Sequence, residues 1–260
     1  MSSYKHKKKY GQNFLDSKEL LEKIKNVVNL NKDTTVLEIG PGEGYLTSMI
    51  LENAKFLTSY EIDSDLISNL EKKFKKYDNF KLINEDFMLS DIVGENLKVV
   101  ANIPYYITTP IVEKLIENKE KIDEIYIMVQ KEVAIRLCTE FSGSDVSTLT
   151  HYIRYYTIPE YLFTVEKEYF NPIPKVDSAF IKLKIRKDRK YENMIDEKIY
   201  FSFIKKAFSQ KRKTLINNLK KAGFDKEELE KNLVNDKIRA EELSIEQFID
   251  LIKGLKYDRL

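Results

Sequence analysis

Apolar residues recur along this chain in two alternating rhythms. Leu20, Leu21, Ile24, Val27 and Val28 repeat at helical spacing behind Asp16 or Ser17, which predicts a capped amphipathic helix reaching about Asn29. A β-branched run over 34–39 follows without that spacing, then a helix over 45–53. Strands at 56–61 and 80–84 bracket a helix over 65–76 behind Asp63 or Ser64. Val99-Val100-Ala101 reads as a buried strand ending at Asn102, and a helix starts at Thr108-Thr109-Pro110 with Pro110 at its first position. Next come a strand over 125–129, an amphipathic segment over 130–137, a loop over 142–145, a helix over 146–156 and a strand over 158–165. Residues 170–176 carry Pro172 and Pro174 and read as a stiff extended loop. The alternation of apolar and basic residues over 178–185 predicts a half-exposed last strand. Strands alternating with helices predict a mostly parallel α/β sheet. Beyond 186–192 only helical patterns remain, over 199–210, 214–222, 226–235 and 245–255, which predicts a small all-helical C-terminal domain. The expected division is 1–188 and 189–260.

Composition narrows the possible functions. No window approaches eighteen consecutive apolar residues, and the Lys-rich stretch 1–10 has no apolar segment behind it, so neither a membrane span nor a signal peptide is expected. The single cysteine, Cys138, excludes an internal disulfide and fits a reducing cytoplasm, and two histidines cannot build an ordinary zinc site. The net charge of +2 hides an asymmetry, because residues 181–220 hold 13 Lys/Arg against 4 Asp/Glu. Lys5, Lys7, Lys8 and Lys9 add a second basic block. Beside a base-sized pocket, such blocks point to a nucleic-acid partner.

The chemistry gathers where strands end. The first strand runs into Gly40-Pro41-Gly42-Glu43-Gly44, a loop whose glycines let backbone approach a ligand, but it is neither G-x-G-x-x-G nor a P-loop. Glu61 ends the second strand, 21 residues after Gly40, where a carboxylate can hold both ribose hydroxyls of an adenosine cofactor. Asp86 can accept an adenine amine and Phe87 can pack on its ring. Asn102-Ile103-Pro104-Tyr105 offers an amide oxygen, a backbone carbonyl beside a rigid turn, and a flat ring, a set suited to a planar base bearing an exocyclic amine. His151, among Tyr152, Tyr155 and Tyr156, reads as structural. A site with ribose and adenine contacts but no basic phosphate cradle fits S-adenosylmethionine, whereas hydrolytic triads and carboxylate pairs are missing.

Taken together, Gln12-Asn13-Phe14-Leu15, Glu38 to Gly44, Asn102 to Tyr105 and Phe170 to Ser178 resemble the rRNA adenine N6,N6-dimethyltransferase family over nearly the whole chain. The Tyr105 to Ile111, Val129 to Ala134, Lys211 to Leu215 and Ile238 to Ser244 runs are similar to its KsgA (RsmA) branch, rather than to the macrolide-resistance Erm branch that methylates large-subunit rRNA. The resemblance implies a Rossmann-like methyltransferase sheet with helices on both faces. It also implies dimethylation of two adjacent adenosines near the 3′ end of 16S rRNA during ribosome assembly; a cytoplasmic protein is expected, and a monomer by default, since the sequence carries no oligomer signal either way. Residues 1–16, which read on composition as a tail, would then fold over the cofactor. Gln12, Asn13, Leu15, Gly40, Gly42, Glu61, Ile62, Asp86, Phe87 and Asn102 would hold S-adenosylmethionine. Tyr105 and Phe170 would sandwich a flipped adenine, while Asn102 and the Ile103 or Pro104 carbonyl bind its amine. Lys205, Lys206, Lys211, Arg212 and Lys213 would contact rRNA phosphates. One departure stands out: 141–148 is Phe-Ser-Gly-Ser-Asp-Val-Ser-Thr, acidic where the branch usually carries a basic Lys-x-Tyr-Gly-x-Leu-Ser loop.

Overall fold

In the computed structural model, residues 14–15, 17–141, 143–233 and 235–257 are described. Gln12 and Asn13 lie outside them. The elements run β1 (Phe14–Leu15), α1 (Lys18–Val28), β2 (Thr35–Ile39), α2 (Tyr45–Asn53), β3 (Phe56–Tyr60), α3 (Ser64–Phe74), β4 (Phe80–Ile83), β5 (Leu97–Asn102), α4 (Thr108–Glu117) and β6 (Ile122–Gln130). Then follow α5 (Lys131–Cys138), α6 (Thr148–Tyr156), β7 (Thr157–Val165), β8 (Phe170–Asn171) and β9 (Ser178–Ile185). The C-terminal helices are α7 (Glu197–Ala207), α8 (Leu215–Lys221), α9 (Lys226–Asn232) and α10 (Ile245–Gly254).

Local chemistry sets these boundaries. Ser17 caps α1 by accepting from the Leu20 N–H at 3.2 Å, and Asp63 caps α3 by accepting from the Asp65 N–H. Buried Leu20, Ile24 and Val28 form the inner stripe of α1. Helix α4 begins at Thr108, so Pro110 is its third residue rather than its first. A proline is tolerated there because the first-turn N–H groups have no helical partner.

Seven strands form one sheet in the order β4-β3-β2-β5-β6-β9-β7, and β1 pairs with β8 in a separate two-residue ladder. Pairing is parallel from β4 through β6, and β9 runs antiparallel to β6. The sheet is mixed and carries helices on both sides. Strand β9 is mostly buried, not half exposed as its pattern suggests. Its basic residue Lys182 bridges Glu124 at 2.7 Å and lies over the Tyr126 ring, so a long apolar stem is covered while its charge is paired.

Two compact units emerge, one of residues 1–134 with 160–185, the other of 135–159 with 186–260. The second therefore gathers a segment that the 1–188 and 189–260 division assigned to the sheet domain. Aromatic packing explains the grouping, since Tyr155 of α6 lies 5.0 Å from both Tyr200 and Phe201 of α7. His151 is fully buried in this unit, with Phe141, Phe208 and Phe248 around its ring and Nδ1 2.8 Å from the Tyr200 hydroxyl. No helix among the described residues is long and apolar enough to cross a membrane.

Candidate active site

The sheet register assembles the site. Ile39, at the end of β2, is level with Tyr60 of β3 and Ala101 of β5, and Tyr60 is level with Ile83 of β4. Four strands therefore finish along one line, and the residues that follow them meet there. Strand order also reverses beside β2, since β3 and β4 extend one way and β5 the other. Ligands in open α/β sheets bind at such a switch point.

A cleft at this point is lined by Leu15, Gly40, Gly42, Glu61, Ile62, Asp86, Phe87, Asn102 and Tyr105, together with Ile103 and Pro104. Nearly every sheet-borne residue expected from the sequence is thus brought to one place. Phe170 is the exception. It is 3% exposed, its backbone pairs with Leu15 in the β1–β8 ladder, and it does not line the cleft. Of the two rings expected to sandwich a base, Tyr105 lines the cleft, whereas Phe170 is buried in the core beside Leu15.

The glycine loop is shaped by close approach. Gly42 adopts φ +59°, and a Cβ there would stand 2.7 Å from the Phe14 ring, so a side chain would collide as well as strain the backbone. Gly40, at φ +67°, has nothing within 4 Å of its Cβ position. The Gly42 N–H donates to Glu61 Oε2 at 3.2 Å, and the Asp63 N–H donates to Oε1 at 2.8 Å, so both carboxylate oxygens of Glu61 are fixed. Burial raises the Glu61 pKa against these two bonds. Behind the loop, Glu38 is 1% exposed and accepts from Ser59 Oγ at 2.6 Å and Thr47 Oγ1 at 2.8 Å. Burial pushes it up to about 7, with the two hydroxyl bonds opposing.

On the other wall, Asp86 Oδ1 accepts from the Met88 N–H at 2.9 Å, and Phe87 meets the edge of Tyr60 at 5.6 Å. The Tyr105 hydroxyl lies 2.7 Å from Ser178 Oγ, which fixes the ring at the end of β5. Burial raises its pKa, so the phenol stays protonated at neutral pH.

Charge decides which cofactor fits. The described lining holds Glu43, Glu61, Glu85 and Asp86 but no lysine or arginine. Such a cleft repels a pyrophosphate and suits an adenosine joined to a cationic group, as in S-adenosylmethionine.

Sequence reasoning missed Lys73 and Lys114. Lys73 Nζ donates to the Glu43 carbonyl at 2.7 Å, and Lys114 Nζ donates to the carbonyls of Phe87, Met88 and Ser90. Neither has a sequence signal, because an exposed helical lysine looks the same whether it faces water or a loop. In the second unit, Lys205, Lys211, Arg212 and Lys213 are exposed, whereas Lys206 is half-buried on the Tyr257 hydroxyl and ring.

The sequence profile described as "Ribosomal RNA adenine dimethylase" matches residues 3–256. "Ribosomal RNA small subunit methyltransferase A" of Fusobacterium nucleatum is 50% identical over 258 residues, covering 96% of this chain and 97% of the relative. The protein of the same name from Caldanaerobacter subterraneus is 40% identical, with the same coverage. Among solved structures, a dimethyladenosine transferase from Plasmodium falciparum aligns with TM-score 0.81 at 27% identity, covering 95% of this chain and 98% of that one. The 23S rRNA methyltransferase ErmE aligns with TM-score 0.78 at 28% identity, covering 94% and 100%. With the profile spanning almost every residue and relatives at this identity over their full lengths, the chain belongs to the ribosomal RNA adenine dimethylase family, whose methyl donor is S-adenosylmethionine.

Proposed function

We propose that this chain dimethylates N6 of two adjacent adenosines near the 3′ end of 16S rRNA in the assembling small ribosomal subunit, acting as a cytoplasmic monomer. The observation that carries the chemistry is the meeting of Asn102, Ile103, Pro104 and Tyr105 with a cleft at the switch point whose described lining holds carboxylates and no lysine or arginine. The choice of small-subunit rRNA is supported by the 50% identical relative of that name.

When bound, the cofactor supplies an electrophilic methyl group. Glu61, already oriented by two backbone N–H groups, faces the ribose hydroxyls, while Asp86 and Phe87 take the adenine. For the substrate base, Tyr105 provides the stacking surface, held in place through its hydroxyl by Ser178. The Asn102 side-chain oxygen and the Ile103 or Pro104 carbonyl accept the N6 hydrogens. In the first transfer both bonds, and in the second the one bond that the remaining N6 hydrogen can make, turn the nitrogen lone pair out of conjugation with the ring, and the proton displaced at each transfer leaves to solvent. Catalysis is then orientation plus fixed dipoles, and no strong base is needed because the N6 proton becomes acidic as the methyl arrives. Lys205, Lys211, Arg212 and Lys213 supply phosphate contacts.

The test uses radiolabelled S-adenosylmethionine with undermethylated small subunits and, separately, with protein-free large-subunit rRNA. Dimethyladenosine in the small subunit alone is expected. Label in large-subunit rRNA overturns the choice of substrate. Asn102→Ala is expected to abolish transfer with cofactor affinity nearly unchanged, and equal rates for variant and wild type overturn the mechanism.

A further inference from the structure

We propose that Lys114 is a positioning residue for the adenine of the cofactor, acting from outside the cleft through the loop that carries Asp86 and Phe87. The proposal rests on the reading that those two residues hold the adenine.

Between β4 and β5 the chain has no ladder or helix to satisfy its backbone. The carbonyls of Phe87, Met88 and Ser90 instead converge on one point, where three partial negative charges would repel each other. Lys114, on α4, places its ammonium there and donates to them at 2.7, 3.0 and 2.5 Å. An ammonium has three N–H donors, so this group spends all of them on one loop. The same nitrogen stands 5.0 Å from the centre of the Phe87 ring, and the ring edge on Tyr60 fixes its tilt. Further bonds make the loop a single unit. Ser90 Oγ donates to Glu85 Oε2 or the Asp86 carbonyl, each at 2.9 Å, and Asp86 Oδ1 accepts from Met88 N–H. Moving the 87–90 backbone therefore moves Asp86 and Phe87 together. Lys114 is absent from the cleft lining, so its influence on the cofactor passes through this loop.

Lys114→Met keeps the length and packing of the stem while removing every donor. Lys114→Arg keeps the charge. Binding of S-adenosylhomocysteine and of adenosine alone is measured by calorimetry for the wild type, both variants and Asp86→Asn, alongside thermal unfolding without ligand and steady-state kinetics. Lys114→Met is expected to weaken both ligands by the same factor of about tenfold, on the order of one charge-assisted hydrogen bond. KM for S-adenosylmethionine should rise in step while kcat stays within about twofold, because the methyl acceptor site is untouched. Lys114→Arg should recover part of the loss. A Lys114→Met variant that unfolds earlier but binds both ligands like the wild type overturns the proposal and leaves Lys114 a structural residue. If Asp86→Asn weakens binding while Lys114→Met does not, only the role of Lys114 falls. If neither weakens binding, the adenine reading falls with it.

Discussion

Glu38 is a fully buried carboxyl held by two hydroxyls, and replacing it with glutamine should expose what its burial costs. Burial moves it from 4.5 to about 7, despite hydroxyl donors from Thr47 and Ser59. At roughly 1.4 kcal/mol per pH unit, that is about 3 kcal/mol of coupling between protonation and folding. The sign follows from which state holds the proton more tightly. The folded pKa lies above the unfolded one, so the stabilisation is complete below about pH 4.5 and is lost as pH rises through about 7. Glutamine has the same shape and does not titrate. Its amide oxygen can take one hydroxyl, and the other hydroxyl can reverse to accept from the amide NH2. Urea unfolding of wild type and Glu38→Gln, followed by circular dichroism from pH 4.5 to 8.5, reads the difference. Any offset that does not change with pH reports how well the hydroxyls rearrange. The pH-dependent part should favour the variant increasingly above pH 5, by about 3 kcal/mol in total, and level off past pH 7. Parallel stability curves across that range would refute the assignment of a raised carboxyl.

Three further outcomes are expected. Glu61→Gln should weaken S-adenosylhomocysteine binding by about ten- to a hundredfold, the difference between charged and neutral acceptors for two ribose hydroxyls. It should also lower the stability of the ligand-free protein by about 1–3 kcal/mol, because an amide NH2 cannot accept the backbone N–H that one carboxylate oxygen takes; calorimetry and thermal unfolding check the two halves. Alanine at Lys205, Lys211, Arg212 and Lys213 together should flatten the slope of log affinity against log salt by about 0.7 to 0.9 per lost phosphate contact. A binding isotherm series in potassium chloride measures it. Burial pulls His151 down to about 3, so its neutral form stabilises the fold above pH 6.5, and that stability declines as pH falls toward 3. His151→Phe should remove this acid sensitivity in a circular dichroism titration, whatever it does to stability at pH 8.

What the sequence disclosed about this protein was what it encodes locally. The glycine loop, Glu61 at a strand tip and Asn102 at the end of an apolar run are each written within a few residues, and parallel pairing brings them level. The burial of Phe170 was not legible because its surroundings come from pairing with Leu15, a partner some 155 residues away that no periodicity announces. Pattern also failed for β9, where basic residues signal water but Lys182 is paired across the sheet with Glu124. The segment 135–159 joins the helical unit through aromatic side chains on α6, whose destination a helical rhythm does not specify. Lys206 looked identical to its neighbours until Tyr257, from the last turn, covered it.

Lys73 and Lys114 share an arrangement with consequences for chemical modification. Each is a cation on a helix that grips backbone carbonyls of one cleft wall from behind, while the wall's inner surface carries acids. A lysine-acylating reagent, enzymatic or synthetic, would leave the carboxylates facing the ligand unaltered. It would discharge the two clasps instead, leaving the loop carbonyls with neutral amides. Cofactor affinity would then depend on the acylation state of residues that never meet the cofactor, and bound S-adenosylhomocysteine, by holding the walls in place, should slow acylation at both lysines.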